Sequence, residues 1–118
     1  MFRDHLRRIS ARIGDVRALS LVARDGIAVD TFNLDLDLDL EALTAELVAQ
    51  LRVISENQRD LKVGEVQHLA ITTDQLTVMV SAVAHDYFLL LVLGAEGNQG
   101  RARFELRRAR LLLENELL

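Results

Sequence analysis

Six consecutive residues, Phe88-Leu89-Leu90-Leu91-Val92-Leu93, are all large and apolar. A strand presents alternate side chains to opposite faces, so a run with no polar position must be covered on both sides. The run is far too short to cross a bilayer as a helix. It predicts a central strand sandwiched by helices, and the rest of the chain must supply both covering layers.

Spacing identifies those layers. Phe2, Leu6, Ile9 and Ile13 form one stripe of an amphipathic helix, with Gly14 placed to end it. Residues 16–23 and 27–32 are apolar-rich and flank Arg24-Asp25-Gly26, where Asp-Gly suits a type I′ turn, so they predict a β-hairpin. From Asp35 to Leu40 the chain alternates Asp and Leu. The pattern imitates a strand, but strands disfavour Asp, so it reads as a loop or ragged edge with Asp37 or Asp39 capping the next helix. That second helix runs to about residue 57 with the stripe Leu40, Leu43, Leu47, Leu51 and Ile54. After a break at 61–64, strands are predicted over about 66–72, 76–83 and 87–93. The turns at Thr73-Asp74 and Ala84-His85-Asp86 are short enough to imply an antiparallel meander. Asn98 is placed to cap a last helix over about 101–116, with the stripe Ala102, Leu106, Ala109 and Leu113.

The predicted fold class is α/β of the α+β type: a five-stranded antiparallel sheet flanked by three helices, in the order α-β-β-α-β-β-β-α. Residues 1–118 read as a single domain, large enough to bury roughly two-thirds of its unfolded surface. With no Cys, disulfides and thiolate chemistry are excluded. The absence of Trp, a single Tyr and a net charge of −4 all argue against a nucleic-acid partner. No apolar signal segment follows Met1, so the reading is cytoplasmic with no membrane insertion. Charge is nonetheless uneven, with Arg101, Arg103, Arg107, Arg108 and Arg110 clustered late and residues 35–41 acidic.

Two segments carry a family resemblance. Residues 14–26, Gly-Asp-Val-Arg-Ala-Leu-Ser-Leu-Val-Ala-Arg-Asp-Gly, look like the helix end, first hairpin and D-G turn of the roadblock/dynein-light-chain family. Residues 98–109, Asn-Gln-Gly-Arg-Ala-Arg-Phe-Glu-Leu-Arg-Arg-Ala, are similar to the start of its last helix in bacterial members. With the element order, the likeness covers nearly the whole chain; residues 35–40 depart from it. It implies a profilin-like roadblock architecture and a homodimer in which third strands pair across a two-fold axis and second helices lie together. The functional type resembled is the bacterial MglB kind, which implies a non-catalytic partner for a small Ras-like GTPase that in some members stimulates GTP hydrolysis.

The residues speak to such a surface independently. Opposite the bulky stripe of the second helix lie Ala42, Ala45, Ala49 and Val53, small enough for another helix to approach closely. The bland alternative is that Ala is simply the best helix former. The third strand, around Gln67-His68-Leu69-Ala70-Ile71, is the candidate edge, with Leu and Ile and neither Pro nor Lys to protect it. Pairing resolves that exposure, as would a covering loop. The expected partner and dimer surface is therefore Ala42, Ala45, Ala49, Arg52, Val53, Gln67, Leu69 and Ile71. On the last helix a second stripe, Phe104, Leu111 and Leu118, accompanies the arginines. That face suits an acidic partner or lipid head groups, but a solvated face balanced by Glu105, Glu114 and Glu116 is the simpler reading.

No catalytic constellation is legible, and no cofactor is expected. His5, His68 and His85 lack metal-ligand spacing, and His85-Asp86 reads as a turn pair. An EF-hand needs Gly at its sixth loop position, where a loop starting at Asp35 has Leu40. Residues 94–100 lack the Lys and Ser/Thr of a P-loop. Arg52 and Arg59 are the positional candidates for an arginine supplied to a GTPase. Because the MglB likeness implies repositioning of the GTPase's own residues, neither is expected to carry activation. The competing readings are a small-molecule sensor of the PAS or GAF kind and a tether that binds its partner irrespective of nucleotide.

Overall fold

The computed structural model describes residues 2–117. Eight elements follow in order: α1 Phe2–Ile13, β1 Val16–Ala23, β2 Ala28–Asn33, α2 Leu40–Leu61, β3 His68–Thr72, β4 Leu76–Val83, β5 Tyr87–Gly94 and α3 Gln99–Leu117. The five strands form one sheet in the order β2-β1-β5-β4-β3, antiparallel at each pairing. The all-apolar run occupies the middle strand, and Leu89 to Leu93 are buried from end to end.

Two cores explain that double burial. On one face α1 and α3 cover the sheet, packing Leu6, Ile9, Ala102, Leu106 and Leu113 against Leu19, Leu21, Met79, Leu89 and Leu91. On the other, α2 packs Leu47, Val48 and Leu51 over Ala18, Val22, Val78, Val80, Leu90 and Val92. Alternate residues of β5 thus belong to different cores, as the strand period requires.

Caps set the helix ends. Asp39 is the N-cap of α2, its Oδ1 accepting from the Ala42 amide at 3.1 Å. Asn98 does the same for α3 through the Arg101 amide at 3.0 Å. The second helix continues four residues beyond its expected end and stops where Lys62 turns left-handed, φ 55°. The first hairpin also differs from expectation. A type I′ turn needs positive φ at both central residues, yet only Gly26 has it, at 93°. Gly26 donates to the Ala23 carbonyl and Ala23 to that of Ile27, closing a three-residue loop over Arg24-Asp25-Gly26.

Candidate functional site

The two sheet edges are built differently. At β2 the register with β1 shifts between Leu21 and Val22, and the Asp30 carboxylate at this edge accepts from the Arg3 amide at 2.9 Å. A bulge and an edge charge both oppose further strand pairing. At β3 neither device is present. His68-Leu69-Ala70-Ile71-Thr72 pairs in unbroken register with β4, contains no charged residue, and leaves its outer amides and carbonyls without a strand partner among the described residues.

Above the same half of the sheet, α2 presents its second face. Thr44, Leu47, Val48 and Leu51 point into the core, and the Thr44 hydroxyl donates to the Leu40 carbonyl at 2.7 Å. Ala42, Ala45, Ala49, Arg52 and Val53 are exposed on the far side. Ile54 ends at the rim, 37% exposed, because Thr44 and Val48 rotate the buried face away from it. On β3, Leu69 is half-buried in the α2-side core, Ile71 is 40% exposed, and Gln67 is exposed just before the strand. The strand alternation puts Leu69 and Ile71 on the same side of the sheet as α2. Seven of the eight expected residues are therefore on the surface and Leu69 anchors the strand beneath.

His68 points to the opposite face. Its Nδ1 lies 2.8 Å from Ser81 Oγ, while Nε2 is buried without a hydrogen-bond partner. Burial, and then the Arg103 guanidinium, hold its pKa below the usual histidine value.

Arg52 is tied to the first hairpin, donating to the Arg24 carbonyl at 3.4 Å. Arg59 lines an open cleft of about 480 Å³ between the end of α2, the 62–67 connector and the β4–β5 turn. Ser55, Gln58, Tyr87 and Phe88 share its walls, as does the Arg110–Glu114 pair, joined at 3.0 Å. Sequence spacing gave no sign of this cleft, because distant segments form it. Among the described residues no group of His, Asp and Glu is arranged to hold a metal ion. Among the same residues no helix is long and apolar enough to cross a membrane.

The last helix departs from a simple solvated face. Phe104 and Leu111 are exposed as its second stripe requires, while Leu118 lies outside the described residues. Glu105, however, is only 1% exposed, with Arg12, Arg101 and Arg108 at 4.0, 3.7 and 3.8 Å from its carboxylate. Glu116 pairs with His5 at 3.0 Å rather than with an arginine.

The chain thus sets an open edge strand beside a helix whose far face is a stripe of small exposed residues, on a five-stranded antiparallel sheet flanked by three helices. No protein-family model matches the chain, and no curated protein matches it. Solved structures do. The chain is 35% identical to MglC from Myxococcus xanthus, over 98% of each chain and with a TM-score of 0.72. A Roadblock/LC7 domain from Streptomyces avermitilis superposes with a TM-score of 0.86 at 16% identity, over 98% of this chain and 96% of that one. Myxococcus xanthus MglB superposes with a TM-score of 0.87 at 11% identity, over 98% and 93%. The chain belongs to the roadblock/LC7 family. Its likeness to MglB is one of fold, whereas to MglC it extends to sequence.

Proposed function

We propose that this chain is a non-catalytic regulatory module that dimerises through β3 and binds a small Ras-like GTPase on the side carrying α2. The observation that carries the reading is the contrast between the edges: β2 is bulged and charged, β3 is regular, uncharged and open. The exposed Ala42, Ala45, Ala49 and Val53 stripe lies on the same side as Ile71 and offers close approach to a second helix. Family membership supports the same reading, and the resemblance of residues 14–26 and 98–109 to bacterial members of the MglB kind adds the proposal that GTP hydrolysis is stimulated.

Two experiments test it. Light scattering of the wild-type chain should give a dimer, and Ile71→Asp, which places a charge on the open strand, should give a folded monomer. A wild-type monomer at micromolar concentration removes the dimer. Immobilised chain should then capture a small GTPase from native lysate loaded with a non-hydrolysable GTP analogue, and less of it with GDP. Capture of no GTPase in either state leaves the family likeness standing for fold alone. The cleft beside Arg59 favours one second reading, a small-ligand sensor, and a melting shift with a nucleotide or metabolite that Arg59→Ala abolishes would favour it.

A further inference from the structure

The charge of this chain is divided between the two sides of its sheet. Helices α1 and α3 carry nine arginines against only Asp4, Glu105, Glu114 and Glu116. They are therefore net +5 within a chain of net −4, which leaves −9 on everything else. Both helices cover the same face of the sheet. The cationic charge thus forms one layer.

That layer has unspent binding capacity. Arg3, Arg8, Arg103 and Arg107 are exposed and make no ion pair among the described residues. Arg12, Arg101 and Arg108 are gathered round the buried Glu105 carboxylate, which accepts a hydrogen bond from none of them. Between the arginines, Phe104, Leu111 and Leu112 are 55%, 63% and 52% exposed. Arginines interspersed with exposed large apolar side chains match an interfacial membrane surface, where guanidinium groups meet phosphates and apolar groups enter the head-group region.

We propose that the α1/α3 face docks this protein peripherally on an anionic lipid membrane. The shape of the face favours a membrane over an acidic peptide. A peptide needs a groove, and the hollow between the two helices, lined by Arg8, Ile9, Arg12 and Leu112, is only about 60 Å³. The proposal does not rest on GTPase binding, which would use the opposite side of the sheet.

The test is co-sedimentation of the full chain with phosphatidylcholine vesicles and with vesicles containing phosphatidylglycerol. The expected result is binding only to the anionic vesicles, weakening as ionic strength rises from about 0.05 to about 0.5 M. Arg8→Gln, Arg103→Gln and Arg107→Gln are each expected to lower partitioning about five-fold, and together on the order of a hundred-fold. The corresponding Arg→Lys triple variant keeps most of the binding, which separates lost charge from lost fold. Phe104→Ser with Leu111→Ser weakens binding at high salt most, while Gln50→Ala on the opposite face changes nothing. The proposal is overturned by equal binding to both vesicle types, by anionic binding that survives the Arg→Gln triple variant, or by no vesicle binding at low salt. It is equally overturned if soluble polyglutamate or duplex DNA binds this face and vesicles do not.

Discussion

Glu105 on α3 and Arg12 on α1 face each other at 4.0 Å without a hydrogen bond, the carboxylate buried and the guanidinium half in water. Arg101 and Arg108 share the same carboxylate. Exposed cations can rehydrate when they lose a partner, but a buried anion cannot. Arg12→Gln, Arg101→Gln or Arg108→Gln alone is therefore expected to cost about 1 kcal/mol or less. Removing all three strands the carboxylate, and about 3–5 kcal/mol is expected. Urea midpoints of the single and triple variants check this; simple additivity of the three would contradict it.

His68 supplies a pH dependence. Its folded pKa lies below the usual 6.5 because burial, and then Arg103, disfavour the charged ring. The unfolded chain binds the proton more readily, so stability should fall as pH drops through about 6.5 and level off below the folded value. His68→Gln keeps a polar group opposite Ser81 and does not titrate. Melting temperatures between about pH 5 and pH 8 should show a flatter profile for this variant, and an unchanged slope would assign the effect elsewhere.

Ala84 sits in the β4–β5 turn with φ 54°, where a side chain is unfavourable. Its amide donates to Glu114 Oε1 at 3.2 Å, tying the turn to α3. Ala84→Gly relieves the backbone and keeps that bond. After the added flexibility of the unfolded chain is subtracted, a gain of about 0.5–1 kcal/mol is expected in thermal or urea unfolding. A loss of stability would show that the turn depends on the methyl group.

Gly94 closes β5 against the start of β1. Its amide donates to the Asp15 carbonyl at 2.9 Å, and a Cβ there would collide with the Asp15 carboxylate and lie 2.8 Å from Arg17 Nε. Asp15 is itself left-handed, φ 51°, and its carboxylate accepts from the Glu96 amide at 3.1 Å. It has little freedom to withdraw. Gly94→Ala is expected to cost about 1–3 kcal/mol by denaturant unfolding, and a neutral result would mean the β1 entry is pliant.

Element order and both cores could be read from the chain because they rest on local periodicity. Residues 88–93 demanded cover on two faces, and the stripes through Leu6, Leu47 and Leu106 supplied it. The first hairpin departs from the type I′ expectation because Asp25 keeps negative φ and leaves the positive one to Gly26. Thr44 and Val48 lie in the core although they fall outside the leucine stripe; Thr44 is tolerated there because its hydroxyl bonds one turn back. The open edge could be inferred from an uncharged third strand, whereas protection of the other edge depends on a register shift that composition does not reveal. Glu105 looked like a solvated counter-charge because only the packing of α1 against α3 buries it. The cationic layer was half visible: the late arginines stood out, but their union with those of α1 is tertiary.

The regular β3 edge has a geometric consequence. Two antiparallel edge strands can join one continuous sheet only about an axis normal to it, so each face of one copy meets the like face of the other. A dimer formed there would hold two arginine layers coplanar. Once the first layer touches a bilayer, the second is presented at millimolar effective concentration, and retention rises multiplicatively. Both α2 helices would then point away from the lipid, making the protein a bivalent platform with its other side open to solvent.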